Sequence, residues 1–434
     1  MEPDRIMSNN SRARRLRQIN VATEAQPVVL VAAAKWWPLS ARMAVALHRH
    51  GCEVRALCPT GHPLRHVSGI RDIYRYRGLD SIASLRRAID QCRPDLIVPC
   101  DDGVVAQLHA LHALDPALRP LIEKSLGDPA GFTVIERRYE FLSTAIELGI
   151  QVPRTKKIDS VEDLAAWHSH SPAMSVIKSD GECGGNGVRM SRSLDESLAA
   201  WHELRRPFSR ATAWKRLIVD RDPLAMWLPN YYRNRGVTAQ EFISGRPANS
   251  MLISWQGKVL ALVSVAVVAT EGPTGAATIV RVIDNEQMKR AAELVVARLN
   301  LSGFYGLDFI LETATAVPHL IEMNPRCTQL GHIEFASEGC LAGVLGAVLR
   351  GEPRPEVRNP VPGQTIALFP QALTAGAACR PHIDASYLDV PHDEPQLVRE
   401  LMLKSWPQRR WAARIYHAFK PLERAEPVLF EASS

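Results

Sequence analysis

Residues 303–326, GFYGLDFILETATAVPHLIEMNPR, limit the folds open to this chain more than any other stretch. Phe304–Leu311 and His319–Asn324 read as two short buried strands, joined by a hairpin loop around Thr313–Val317. Side chains alternate across a strand, so Glu322 and Asn324 share one face of the second segment, with Ile321 and Met323 on the other. Pro325 removes a backbone donor and ends the ladder. Asp308, Glu322 and Asn324 then offer three oxygen ligands on adjacent strands, with Arg326 beside them. Mg²⁺ or Mn²⁺ takes a few such oxygens together with phosphates, and a guanidinium suits phosphate or acyl-phosphate oxygens. The other reading is a carboxylate pair serving structure alone. Burying two acids and an amide without a cation is costly, which favours the metal.

The chain before this hairpin divides by pattern. Residues 1–26 are polar and without periodicity and are expected to be disordered. From 27 to 125 strands alternate with helices: VVLVAAA at 28–34, a helix over Leu39–His50 stopped by Gly51, CEVRALCP at 52–59, a helix over 81–94, and DLIVPC at 95–100. That spacing predicts a parallel α/β sheet. Trp36 and Trp37, after the first strand, and Asp101 and Asp102, after the last, occupy the strand ends where α/β proteins bind ligands. Capping of the following helix by Asp102 explains that pair equally well. No glycine-rich dinucleotide fingerprint follows the first strand.

From 126 to 362 the pattern changes to α+β. A helix is expected over Val134–Leu148, ending at Gly149, and another over 159–168 capped by Ser160. Strands at Val176–Lys178 and Val188–Met190 flank SDGECGGNG. Gly181, Gly184, Gly185 and Gly187 let a backbone approach phosphates closely, and Lys178 can reach an α- or β-phosphate. A plain flexible hairpin is the competing account. A capping box at Ser193–Glu196 opens a further helix. Residues 205–236 resist assignment. Strands at 251–255 and 258–269 form a hairpin turning at Gln256-Gly257. Arg281, on the strand after TEGPTGAA, is a candidate phosphate or acyl-phosphate ligand, and Asn285–Leu299 is an amphipathic helix. Residues 363–434 form a small extension with a strand at TIALFP and a basic helix near 395–418.

The closing hairpin, an acidic residue followed by E-x-N-x-R, resembles the metal-binding end of the ATP-grasp superfamily. The lysine-ending strand, glycine loop and returning V-x-M strand resemble its phosphate lid, within a lid subdomain at about 150–240. VTAQEFISG, at 237–245, resembles its adenine hinge. The resemblance covers 130–350, and more loosely 27–125 as the α/β domain that precedes an ATP-grasp fold and contributes to its acceptor pocket. It implies ATP held by Lys178, the glycine loop and Gln240, Glu241, Phe242 and Ile243, with the strand's edge groups pairing with the base. It implies metal on Asp308, Glu322 and Asn324, and Arg326 and Arg281 acting on the reacting phosphoryl group. The implied reaction is attack of a carboxylate on the γ-phosphate, then displacement of phosphate from the acyl phosphate by an amine or other nucleophile. Two departures matter: Glu136-Arg137-Arg138 stands where the family has a helix lysine, so that contact is lost or made by arginine, and Pro247 replaces a glutamate. Bicarbonate activation of the biotin-carboxylase type, and a nucleotide-binding regulator without turnover, remain open.

Composition excludes several classes. The longest apolar run, Val259–Ala269, is too short to span a bilayer, and the N-terminus lacks an apolar signal core. Eight cysteines without a C-x-x-C pair suggest reduced thiols, so a cytoplasmic enzyme is expected. Net charge is +6, much of it in RARRLR at 12–17 and in 404–420, and is read as a tail and a surface helix, with a nucleic-acid or lipid contact as the lesser reading. Expected partners are small-molecule carboxylate and nucleophile substrates, with a homodimer as the default assembly.

Overall fold

The computed structural model describes residues 26–170, 174–181, 187–206, 209–220, 222, 236–273, 275–333, 340–353, 361–374, 376, 379–420 and 426–430. Three sheets organise them. The first contains β1 (Val28–Ala32), β2 (Glu53–Cys58), β3 (Ile70–Arg75) and β4 (Leu96–Pro99), in the order β3-β2-β1-β4. Every pair in it is parallel, as the strand–helix alternation predicts. Its helices include α1 (Pro38–Arg49), α2 (Ser81–Cys92) and α3 (Asp102–Leu114). The chain then passes through α4 (Arg119–Leu126), α5 (Phe132–Glu136) and α6 (Arg138–Glu147).

The single helix expected over Val134–Leu148 is two, because Arg137 is extended, at φ −114° and ψ 111°. The second sheet, β5-β8-β6-β7, is a lid of β5 (Thr155–Lys157), β6 (Ser175–Ser179), β7 (Val188–Ser191) and β8 (Val237–Glu241). Behind it pack α7 (Val161–His170) and α8 (Leu194–Arg205), through Leu164, Trp167, Trp201, Ile177 and Ala239. Both helices start on the expected caps: Ser160 Oγ accepts from Asp163 N, and Ser193 Oγ from Glu196 N.

The third and largest sheet runs β13-β12-β9-β10-β11-β14-β15. Its strands are β9 (Gly245–Trp255), β10 (Lys258–Thr270), β11 (Ala277–Ile283), β12 (Gly303–Glu312), β13 (Pro318–Asn324), β14 (Thr365–Ala367) and β15 (Tyr387–Leu388). The β9–β10 hairpin turns at Gln256-Gly257, both at positive φ, the type I′ geometry the sequence calls for. One face packs on α9 (Glu286–Arg298) and α6, burying Phe141, Leu252, Val296, Tyr305, Phe309 and Leu320. The other shares one core with the parallel sheet: Met251, Ile253, Val265 and Val280 meet Val29, Met43 and Leu47, with α10 (Leu341–Leu349) closing it. The tail adds β14, β15 and β16 (Val428–Leu429) to this sheet. Its basic segment is three short helices instead of one: α11 (Pro395–Met402), Trp406–Arg409 and α12 (Trp411–Phe419). No helix among the described residues is long and apolar enough to cross a membrane.

Candidate active site

The site forms where the lid sheet, the start of α6 and the β12–β13 hairpin meet. Asp308 lies opposite Glu322, and Gly306 opposite Asn324, so the three oxygen-bearing side chains share one sheet face, as alternation requires. A bulge between Asp308 and Phe309 pairs Phe309 with Leu320, leaving Ile321 as the extra residue. Leu320 therefore joins Met323 in the core, where the sequence suggested Ile321. Asp308 accepts from Asn249 Nδ2 at 2.6 Å and from Asn324 Nδ2 at 3.0 Å. Burial and the neighbouring charge of Glu322 push its carboxyl up to about 6. Among the described residues no three His, Cys, Asp or Glu converge on a metal position. Two carboxylates with amide oxygens nevertheless suit Mg²⁺, which keeps phosphate and water in its shell, and a dication would relieve the repulsion between Asp308 and Glu322.

The lid supplies the cations. Lys178 is buried on β6, and its Nζ donates to Gln240 Oε1 at 2.6 Å, while Gln240 Nε2 donates to Thr155 Oγ1 at 3.1 Å. Burial and the charge of Arg138 lower its pKa to about 8, against the pull of Glu322 and Asp308. Lys178 is thus within electrostatic reach of Glu322 and Asp308 on the β12–β13 hairpin. Arg138 is the residue that the sequence reading left undecided, and it fills the gap between lid and hairpin. Its guanidinium donates to Glu322 Oε1 at 2.9 Å and to the Ser179 carbonyl at 3.0 Å, and its backbone N–H donates to Asp180 Oδ1 at 3.3 Å. Burial opposes its charge, but Glu322 and Asp180 outweigh that and hold it protonated. The break at Arg137 makes this possible by starting a new helix with Arg138 at its mouth.

Arg326 leaves β13 and donates through Nε to Asp102 Oδ1 at 2.8 Å and through Nη2 to Asn324 Oδ1 at 3.3 Å. It therefore ties the β12–β13 hairpin to the end of β4. The helix cap at that end is Asp101, not Asp102: Asp101 Oδ1 accepts from Val104 N at 3.0 Å, and Oδ2 from Ala34 N at 2.6 Å. Asp102 is freed to face Arg326. Burial pushes its carboxyl up, but the charges of Arg326 and Lys35 overcome this and hold it below the usual range.

Three expectations need correction or fall outside the view. Arg281 does not join the site. Asp308 pairs with Asn249, Asn249 with Val265 and Val265 with Val282, so the adjacent Arg281 lies on the opposite sheet face. There its charge, after burial, depresses the pKa of Arg246. The hinge strand β8 is not an edge: it lies between β5 and β6, with Glu241 N–H donating to the Arg154 carbonyl and Phe242 N–H to that of Met174. The Glu241 side chain takes the Ala239 face, away from Lys178 and Gln240. Gly184 and Gly185 lie outside the described residues; Gly181 turns at φ 73°, and the Gly187 carbonyl accepts from Ser179 N at 2.9 Å. Sequence reasoning missed Asn249, which lies among Arg246, Ser250 and Ser254 on a mixed strand and gives no local signal of its own.

Residues 137–329 match the family model for the ATP-grasp domain. No curated protein matches the sequence. In structure the chain is similar to N5-carboxyaminoimidazole synthetase from Staphylococcus aureus complexed with ADP, at TM-score 0.55 and 14% identity over 77% of this chain and 79% of that one. It is similar to L-amino acid ligase from Bacillus licheniformis, at TM-score 0.53 and 15% identity over 79% and 80%. The biotin carboxylase domain of Hydrogenobacter thermophilus 2-oxoglutarate carboxylase, in complex with MgADP, ADP and bicarbonate, aligns at TM-score 0.54 and 11% identity over 78% and 72%. At these identities the likeness is one of fold. Residues 137–329, which hold the lid sheet and the β12–β13 hairpin, thus carry the match to the ATP-grasp domain, and the fold around them is that of the similar structures.

Proposed function

We propose that this protein is an ATP- and Mg²⁺-dependent ligase that activates a carboxylate as an acyl phosphate for attack by an amine or another nucleophile. The observation that carries the reading is the in-register pair Asp308 and Glu322, facing Lys178 and Arg138 across the lid. Asp308, Glu322 and Asn324 would hold Mg²⁺, whose contribution is to neutralise phosphate charge during transfer. Lys178 and Arg138 stabilise the same charge from the lid side, and Arg326, oriented by Asp102, adds the positive charge of its guanidinium beside the acyl phosphate. The acceptor would enter from the β4 end, where Asp102 lies. No side-chain nucleophile is required.

The test combines calorimetry of ATP with Mg²⁺ and phosphate release against pooled carboxylates and amines, for the wild type and Glu322→Ala. Mg²⁺-dependent binding that the substitution removes, with ADP formation stimulated by a substrate pool, supports the ligase. Binding without turnover on any pool sinks the ligase and leaves a nucleotide-binding regulator; stimulation by bicarbonate alone favours the carboxylase type. Absence of ATP binding overturns the reading altogether.

A further inference from the structure

Helix α12 is built the wrong way round for a surface helix of a globular protein. Among its residues only Ala413 is buried, while Trp411, Ile415 and Phe419 are 70%, 54% and 87% exposed. Spaced i, i+4 and i+8, these three form one stripe along the outer face. The inner face is anchored by small contacts: Lys215 lies 5.7 Å above the Tyr416 ring, and the segment Arg216–Asp220 packs against the helix. Trp214, just before Lys215, and Ile218, within the packed segment, are themselves 51% and 44% exposed. Two pieces of chain about two hundred residues apart thus pack together and each leaves large apolar side chains exposed, and exposed apolar side chains grouped in this way mark interaction sites.

Charge selects the partner. From 404 to 420 the sequence carries Lys404, Arg409, Arg410, Arg414 and Lys420 and no acidic residue. Arg409 pairs with Glu400, and Arg410 lies over the Trp406 ring, whereas Lys404, Arg414 and Lys420 are exposed beside the stripe. A second copy docking on the same patch would set these cations against themselves. Nucleic acid would engage the cations but has no use for an aliphatic Ile415 or the Phe419 flank. A basic helix with Trp and Phe on its exposed apolar face fits the interface of a bilayer, where rings sit at headgroup depth and cations meet anionic lipid. We propose that α12, with the bordering Trp214–Ile218 segment, docks this protein onto an anionic lipid surface, as a peripheral contact without a spanning helix.

The experiment is co-sedimentation of the full chain with vesicles of phosphatidylcholine alone and of phosphatidylcholine mixed equally with phosphatidylserine. The expected result is binding to the mixed vesicles only, weakening as salt is raised. Trp411→Ser with Phe419→Ser, and separately Arg414→Glu with Lys420→Glu, should each lower the bound fraction about tenfold without moving the thermal midpoint. Since all four positions are exposed and none has a hydrogen bond or ion pair with a described residue of the site, basal ATP binding should not change. Failure of the wild type to bind mixed vesicles overturns the proposal, as does binding that both double variants retain. Self-association in sedimentation that the Ser variant abolishes, without vesicle binding, would assign the stripe to a second copy. Binding of polyuridylate lost only in the Glu variant would assign the cations to nucleic acid.

Discussion

Asp308 shows how a single residue's titration reports on the site. Its carboxyl is raised to about 6 from an ordinary value of 3.8, so the folded protein binds its proton more tightly than the unfolded chain does. Without metal, stability contributed here is present below about pH 4 and falls as pH rises towards 6. Metal binding needs the carboxylate, so Mg²⁺-dependent ATP affinity should drop by about tenfold per pH unit below 6 and level off above it. Calorimetry across pH 5–8, with Asp308→Asn as the insensitive control, reads this directly. Lys178 titrates in the opposite sense: with its pKa lowered to about 8, it begins to lose its charge at mildly alkaline pH unless phosphate is bound. Lys178→Ala removes a charged hydrogen-bond donor worth about 1.5–3 kcal/mol, and the expected ATP affinity loss is roughly ten- to a hundredfold. A substitution that leaves nucleotide affinity intact would remove Lys178 from the phosphate site.

At the level of elements, the junction before β12 sets where the β12–β13 hairpin stands. Gly303 opens β12 at φ 96°, and a Cβ there would collide with the Ser125 carbonyl at the end of α4. Tyr305, two residues on, donates its hydroxyl to the Leu126 carbonyl. Gly303→Ala should therefore cost about 2–4 kcal/mol, from a strained positive φ and a displaced carbonyl, measured as a shift in the urea midpoint. The hairpin itself was legible from its residues, because an acid or amide in an apolar, alternating strand must point at something. The helix break at Arg137 was not legible: E-R-R-Y carries no proline or glycine, and only the pull of Glu322 and Asp180 on Arg138 accounts for it. The same holds for β8, whose position between two lid strands depends on a partner 85 residues earlier in sequence.

The molecule as a whole is welded through the face that Met251, Ile253 and Val265 share with Val29, Met43 and Leu47. The parallel sheet is thus a wall of the large sheet's core and supplies Asp102 to Arg326 in the same contact. The tail is similarly integral, since β14 and β15 extend the large sheet beyond β11 and Arg42 binds Asp389, which His332 also contacts at 2.7 Å. Ending the chain at residue 362 should expose the β11 edge and the apolar residues around Ile279 and Val280. The expected outcome is aggregation or loss of the cooperative thermal transition seen by calorimetry. A soluble, cooperatively folding truncated chain would show the tail to be an appendage.

From the sequence alone come the order of the elements, the parallel character of the first sheet, the lid strand that carries Lys178 and the shared face of Asp308, Glu322 and Asn324 on the closing hairpin. Each of these follows from local patterning: a period of two or near 3.6, a cap, a turn dipeptide, or a costly polar residue among apolar neighbours. Which side of the large sheet Arg281 faces, which aspartate caps α3 and which is left for Arg326, and how Arg138 reaches Glu322 were decided only in the tertiary structure. Those outcomes depend on strand register, on a bulge at Ile321 and on contacts between residues up to 224 apart, and local pattern carries no record of them.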